Sequence, residues 1–152
     1  MKRIHLHVSV DDLAKSINFY NTLFGASPTV EKLDYAKWIL DDPLVNFAIS
    51  HHGTKAGLDH IDIQVESNDE LTEIKSRLEV ADMSMLTQEG TICCYAKSDK
   101  HWVQDPSDIA WETYRTLESA HTFNNIAEQG AAQSAYCAPI EQGVQLMSRK
   151  AG

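Results

Sequence analysis

The stretch "IHLHVSVDDLAKSINFYNTLFG", residues 4–25, decides the fold because its hydrophobic period changes in the middle. Its first part alternates apolar with polar side chains, which is typical of a strand with one buried face. Asp11 and Asp12 then offer N-cap side chains, and apolar residues recur at helical spacing until Gly25, which is placed to end a helix. The stretch therefore predicts a strand followed by an amphipathic helix.

A second copy of this pattern, "LDHIDIQVESNDELTEIKSRL", occupies residues 58–78. His60 heads its strand as His5 heads the first, and Ser67 with Glu70 forms a capping box that opens the second helix. Runs rich in aromatic and branched residues follow each helix, which indicates further strands. They are "YAKWIL" and "LVNFAIS" in the first copy, and "SMLTQ", "TICCYAKS", "HWVQ" and "IAWETY" in the second.

The repeat predicts one domain over residues 1–118, built from two similar units that each begin with a strand and a helix. The units cover about residues 1–53 and 57–118. Two copies are too few for a stacked repeat array, so a pseudo-symmetric pair is expected. Residues 119–152 lack a sustained apolar period and are rich in Ala, Gln, Ser and Gly. We expect them to form a flexible C-terminal tail, which contains Cys137.

Composition narrows the choice of partners. The 152 residues fit one domain with its own core, and no apolar run approaches the roughly 20 residues of a membrane span. No secretory signal opens the sequence, so we expect a cytoplasmic protein whose three cysteines are reduced thiols. The formal net charge of −9 disfavours nucleic acid and anionic membrane as partners. A small-molecule ligand, and a monomer or homodimer, are expected.

The polar faces of the first strands are expected to face the space between the two units. His5, His7 and His60 share that face, because alternate residues of a strand point the same way. In the final strand Glu112 has the same register. Ala48 stands at the equivalent position of the first unit and offers no ligand atom. Two imidazoles and one carboxylate are therefore predicted to meet in one cavity.

Two histidines and one carboxylate with open positions suit a non-haem Fe(II) centre that activates oxygen. Structural zinc normally takes a fourth protein ligand. We predict His5, His60 and Glu112 as metal ligands, with Glu112 also needed for catalysis. Two alternatives stay open. His7 shares the parity of His5 and competes as the first ligand, and all these residues are also compatible with ordinary polar roles without a metal.

The segment "TICCYAKSDKHWV", residues 91–103, places Cys93 directly beside Cys94. On a regular strand these side chains point to opposite faces. For both sulfurs to reach one ligand, the strand has to bulge or loosen near Cys93. The pair is therefore either core filling or a two-sulfur substrate site.

Three segments carry a family resemblance: "HVSVDDLAKSINFYNTLFGASP", "LDHIDIQVES" and "CCYAKSDKHWVQDPSDIAWETY". They resemble the vicinal oxygen chelate superfamily of glyoxalases, bleomycin-resistance proteins and extradiol dioxygenases. Within it, they are similar to the cadmium-induced and arsenic-resistance branch, which includes an Fe(II)-dependent carbon–arsenic lyase. The resemblance implies an α+β fold in which two paired βαβββ units form an open mixed-sheet barrel around one metal. It implies Fe(II) as that metal, held by His5, His60 and Glu112. It also implies that Cys93 and Cys94 bind the arsenical.

The expected activity is oxygenolytic cleavage of the carbon–arsenic bond in trivalent organoarsenicals such as methylarsenite, with dioxygen as co-substrate and arsenite as product. An extradiol-type dioxygenase is an alternative, in which the two cysteines are dispensable. A thiol protein that sequesters arsenic or cadmium without turnover is another. A glyoxalase-like isomerase fits less well, because Ala48 stands where a fourth metal ligand is expected.

Overall fold

A computed structural model describes residues 2–52 and 55–123. Its elements are β1 (Arg3–Ser9), α1 (Leu13–Phe24), β2 (Val30–Glu31), β3 (Tyr35–Asp41), β4 (Leu44–Ser50), β5 (Gly57–Val65), α2 (Asn68–Val80), β6 (Leu86–Cys93), β7 (Ala96–Gln104) and β8 (Ala110–Ser119). The predicted tail lies outside the described residues from position 124 onward, as does Cys137.

Both predicted helices begin with an expected cap, and the first also ends at the expected glycine. Asp12 accepts a hydrogen bond from the backbone N–H of Lys15 at the start of α1, and Gly25 ends the helix with φ 63°. Ser67 caps α2 by accepting from the backbone N–H of Glu70 at 3.2 Å. These bonds satisfy N–H groups that a helix leaves unpaired at its first turn. No helix among the described residues is long and apolar enough to cross a membrane.

The strands form one mixed eight-stranded sheet in the order β2-β3-β4-β1-β5-β8-β7-β6. At its centre β1 pairs with β5 in antiparallel fashion, and each of these strands pairs in parallel with the last strand of its own unit, β4 or β8. Each unit therefore has the order βαβββ. The predicted α+β class and the open mixed sheet of two paired units are confirmed.

One face of the sheet carries the apolar cores beneath the helices. Under α1 lie Ala36, Trp38, Phe47 and Ile49, packed against the apolar stripe of that helix. Under α2 the buried residues are Val65, Leu71 and Ile74. Burial of these side chains is the main favourable term in holding each helix to its strands.

The opposite face of the sheet is polar and also buried. Its buried side chains include His5, His7, Asn46, Ser50, His60, Asp62, Lys100 and Glu112. Charged residues are almost never fully buried unless they are paired or serve a site. The strand alternation that puts apolar residues under the helices therefore puts a concentrated set of ionisable groups on the other side.

The second unit differs from its predicted strands near the cysteines. The predicted strand "TICCYAKS" is wrong, because β6 ends at Cys93 and β7 begins at Ala96, with which Cys93 pairs. Cys94 and Tyr95 form a two-residue hairpin turn between them. The predicted strand "HWVQ" is the second half of β7 rather than a strand of its own. Described contacts also continue past the predicted domain end at residue 118, since Phe123 is buried against Tyr35 and Ala48.

The core under α2 predicts a matched pair of substitutions. Leu71 is 3% exposed and Leu33 is fully exposed. Leu71→Ala should lower the free energy of unfolding by about 2–5 kcal/mol, because it removes buried methylene groups and leaves a cavity. Leu33→Ala makes the same chemical change at the surface and should alter it by less than about 0.5 kcal/mol. Urea unfolding followed by circular dichroism measures both, and equal effects would contradict this view of the core.

Candidate functional site

One cavity of about 510 Å³ opens on the polar face of the sheet and takes side chains from both units. All residues predicted for the site line it: His5, His60, Cys93, Cys94 and Glu112. Two residues that were not predicted, Asp62 and Lys100, line it as well. The structure thus brings the predicted residues together, while the roles assigned to them stay predictions.

The two histidines reach the cavity from the central strands. In the β1–β5 pairing His5 lies opposite Asp62, and His7 lies opposite His60. The ring centroids of His5 and His60 are 6.0 Å apart. One ligand atom each from His5, His60 and Asp62 lies within 4.8 Å of the other two. The register of this one strand pair therefore gathers two imidazoles and a carboxylate.

Asp62 is a carboxylate that sequence reasoning missed. Its side chain is fully buried, its Oδ2 contacts Nδ1 of His5, and the same oxygen lies 3.4 Å from Nε2 of His60. It follows His60 by two positions in one strand, so alternation places both side chains on the same face. That spacing is the sequence signal that points to Asp62.

Glu112 faces the same cavity but is paired with Lys100. It lies opposite Asp62 in the parallel β5–β8 pairing, and its Oε1 is 2.6 Å from Nζ of Lys100. Both side chains are buried. Burial raises the pKa of Glu112 above its ordinary value, although the ammonium group of Lys100 opposes this. Use of Glu112 as a metal ligand therefore requires a change in its contact with Lys100.

His60 lies between two carboxylates. Its Nδ1 is 3.1 Å from Asp59, and its Nε2 faces Asp62. Burial opposes a positive charge on the ring, but Asp62 and Asp59 outweigh it and raise the pKa of His60 to about 10. A metal that binds His60 must displace a proton. Asp59 is placed to accept the other N–H, the arrangement that commonly orients a metal-bound histidine.

His7, the alternative first ligand, lies deeper in the sheet. Its Nε2 is 2.9 Å from the hydroxyl of Ser50, and its Nδ1 is 3.3 Å from Asp59. Burial lowers the pKa of His7 to about 4, so the ring is neutral at pH 7. His7 is not among the described residues that line the cavity, whereas His5 is. This geometry favours His5 over His7 as a ligand to a metal in the cavity.

The cysteine pair lies at a turn, and this explains how two adjacent residues can present sulfur to one ligand. Cys94 and Tyr95 have φ of 54° and 60°, and the pattern of positive φ at both central residues is that of a type I′ hairpin. The turn replaces the expected bulge and brings Sγ of Cys93 to 3.2 Å from Sγ of Cys94. Non-glycine residues in this region cost roughly 1–2 kcal/mol each. Such strain is concentrated at functional sites.

The two sulfurs differ in chemical state. Burial raises the pKa of the Cys94 thiol well above its ordinary value, so the thiol is protonated at pH 7. Cys93 is disulfide-bonded in the structure, so the expectation that every cysteine is a reduced thiol is wrong at this position. Binding of one ligand by both sulfurs therefore requires reduction of Cys93.

Side chains from the first unit hold the turn in place. The hydroxyl of Tyr95 donates to Asp34 at 2.5 Å, and Nε2 of His52 lies 2.6 Å from the other oxygen of that carboxylate. Phe123 stacks on His52 with ring centroids 3.8 Å apart. Asp34 thus connects the cysteine turn of the second unit to the loop before β3 of the first.

The donor set fits a divalent transition metal. Two ring nitrogens and one carboxylate oxygen converge at a buried point, and Oδ1 of Asp62 accepts no hydrogen bond from any described residue. Imidazole and carboxylate with room for further ligands suit Fe(II) among other metals. A bound cation would satisfy a carboxylate oxygen that burial otherwise leaves unpaired.

Comparisons with known proteins find a matching family model and named relatives. A family model described as "Glyoxalase/Bleomycin resistance protein/Dioxygenase superfamily" matches residues 2–113. The chain is 42% identical over 121 residues to a "Trivalent organoarsenical cleaving enzyme" of Bacillus sp. (strain MD1), covering 76% of this chain and 74% of that protein. It is 36% identical over 126 residues to the "Cadmium-induced protein CadI" of Mycobacterium tuberculosis, covering 82% and 83%.

Among solved structures, a homoprotocatechuate 2,3-dioxygenase mutant from Brevibacterium fuscum superposes with a TM-score of 0.59 at 18% identity. The match covers 80% of this chain and 33% of the dioxygenase chain. At that identity the likeness shows a shared fold alone.

The contacts of Asp34 predict how stability depends on pH. Burial works against ionisation, but the bonds from Tyr95 and His52 outweigh it and hold the pKa of the Asp34 carboxyl below its ordinary value. The ionised Asp34 carboxylate therefore stabilises the fold above the unfolded pKa of about 3.9, and this stabilisation is lost as the pH falls through the pKa of the folded state. Asp34→Asn should cost about 1 kcal/mol at pH 7, since the carboxylate is partly exposed.

Urea unfolding of the wild type and Asp34→Asn from pH 7 to pH 2 checks this. The difference in unfolding free energy should narrow below about pH 4. In a Tyr95→Phe background the difference at pH 7 should be smaller, because one partner of the carboxylate is gone. A difference that stays constant across this pH range would contradict the prediction.

Proposed function

This chain belongs to the glyoxalase/bleomycin resistance protein/dioxygenase superfamily, and we propose that it cleaves the carbon–arsenic bond of trivalent organoarsenicals with dioxygen. The observation that carries the proposal is one cavity lined both by two histidines with carboxylates and by two sulfurs 3.2 Å apart. The names of relatives at 34–42% identity point to the same substrate class.

The cysteine turn binds the arsenic in this proposal. Trivalent arsenic is thiophilic, and a monosubstituted arsenical carries two exchangeable hydroxyl groups. Once Cys93 is reduced, each thiol replaces one hydroxyl, so that two As–S bonds form and two water molecules leave. The raised pKa of Cys94 is compatible with this step, because each thiol proton departs with the hydroxyl that it releases.

His5, His60 and Glu112 would hold Fe(II) opposite the sulfurs, and the metal would supply activation of dioxygen. His60 gives up its proton on binding, and Asp59 accepts the remaining ring N–H and fixes the orientation of the ring. Glu112 changes its contact with Lys100, whose ammonium group stays in the cavity as a buried positive charge. The proposed metal ligands and the two cysteines line the same cavity, which supports a reaction between dioxygen and the bound arsenical.

The overall reaction balances for the smallest substrate. One molecule of methylarsonous acid and one of dioxygen together contain the same atoms as the products, one molecule of arsenous acid and one of formaldehyde. The carbon–arsenic bond and one C–H bond are broken, carbon is oxidised, dioxygen is reduced, and arsenic stays trivalent. A cavity of about 510 Å³ is within the range that takes drug-sized ligands, so it also admits substituents larger than methyl.

Sequestration of a thiophilic metal or metalloid without turnover is the second candidate, and the two adjacent sulfurs are the observation that favours it. A relative named "Cadmium-induced protein CadI" is compatible with this role. In that case protection is stoichiometric and no oxygen is consumed. An extradiol-type dioxygenase has weaker support, because the dioxygenase likeness is one of fold.

An anaerobic reconstitution tests the proposed activity. The full chain is reduced with a thiol reductant, loaded with Fe(II), mixed with methylarsenite and then exposed to air, and arsenite release and oxygen uptake are measured. Glu112→Gln should lower arsenite release by at least about 100-fold, since it removes a proposed metal ligand. Cys94→Ser should lower it as well, because one sulfur cannot chelate.

Glu79→Gln is the matched control for the carboxylate change, as Glu79 lies on the outer side of α2 with its side chain 55% exposed. It should release arsenite like the wild type. Unchanged release in Glu112→Gln or Cys94→Ser, or none in the wild type, would reject the proposed activity. Arsenical binding without oxygen uptake would favour sequestration.

A further inference from the structure

We propose that Asp62 is a direct ligand of the metal, so that the centre has two histidines and two carboxylates; this rests on the metal site of the proposed function. Asp62 lies between the two histidines, with Oδ2 against Nδ1 of His5 and 3.4 Å from Nε2 of His60. A cation held by both rings would lie where this carboxylate already points.

The burial of Asp62 supports a ligand role over a structural one. The side chain has no exposed surface, and Oδ1 has no hydrogen-bond partner among the described residues. A buried carboxylate usually has its oxygens satisfied, because an unpaired one is costly. Oδ1 is therefore available to a cation, while Oδ2 of the same carboxylate lies beside the two ring nitrogens.

Glu112 is less available than Asp62 in this structure. The two carboxylates lie opposite each other on β5 and β8, but Lys100 holds Glu112 at 2.6 Å. Among the described residues, the ion pairs of Asp62 are with His5 and His60. Among the described residues that line the cavity, the ligand atoms that converge belong to His5, His60 and Asp62, and Glu112 is not in that group. Asp62 thus supplies the carboxylate already placed for the metal, and Glu112 completes the centre when its contact with Lys100 changes.

Asp59 provides a matched comparison on the same strand. It contacts the other nitrogen of His60 at 3.1 Å and Nδ1 of His7 at 3.3 Å, and these three residues form a second group of possible ligands without His5. Unlike Asp62, Asp59 is not among the described residues that line the cavity. It is therefore a positioning residue. Loss of such a residue typically weakens metal binding by roughly 10–100-fold, whereas loss of a direct ligand should exceed this range.

The experiment measures anaerobic binding of Co(II) to the full-length protein by calorimetry and by its visible absorption, with no arsenical and no oxygen. Asp62→Asn should weaken binding by more than about 100-fold and change the cobalt spectrum. Asp59→Asn should weaken it less and keep the shape of the spectrum. Equal affinity and an unchanged spectrum in Asp62→Asn, or an effect no larger than that of Asp59→Asn, would overturn the proposal.

A second variant keeps the proposal testable if Asp62→Asn fails to fold. In a protein that already carries Cys93→Ser and Cys94→Ser, Asp62→Cys should add a thiolate-to-cobalt charge-transfer band in the near ultraviolet. Absence of that band with cobalt bound would show that position 62 does not reach the metal. If the wild type binds no cobalt, the proposed metal centre itself fails, whereas cobalt binding without arsenite release rejects only the proposed activity.

Discussion

Hydrogen bonding between β1 and β5 joins the first strands of the two units at the middle of the sheet. This antiparallel register places His5 opposite Asp62 and His7 opposite His60. A slip of one residue would turn each side chain of one strand to the other face, which would put histidine under a helix and isoleucine in the cavity. The apolar cores beneath α1 and α2 fix the register, and the register determines which side chains of β1 and β5 meet in the cavity.

Burial determines the chemistry of the polar face. Three carboxylates lie close to His60 and Lys100 on this face, those of Asp59, Asp62 and Glu112. Their side chains have little exposed surface. Such a set costs desolvation energy that the mutual attraction of the charges only partly offsets. A divalent cation at the proposed site would balance two of the carboxylates, which gives a physical reason for keeping acidic groups where apolar ones would stabilise the fold as well.

The cysteine turn links the two units in a different way. Its left-handed backbone is costly for Cys94 and Tyr95, and the bonds of Asp34 to Tyr95 and His52 offset part of that cost from the first unit. The two sulfurs therefore lie at the turn between β6 and β7 of the second unit, and this turn is held against the loop before β3 of the first unit. The proposed metal ligands come from the central strands, so sulfur atoms and carboxylate oxygens reach the cavity from separate parts of the fold.

The hydrophobic periods of residues 4–25 and 58–78 determined the two βαβββ units, and strand parity placed His5, His60 and Glu112 on one face, because period and parity are local properties. Only the tertiary structure decided the rest. Parity also puts Asp62 on the face of His60, but the register between β1 and β5 set it beside His5, and packing of β7 against β8 gave Glu112 the partner Lys100. The hairpin turn brought two sulfurs together that strand pleating would separate. These are contacts between residues distant in sequence or backbone angles set by packing, which no local pattern specifies.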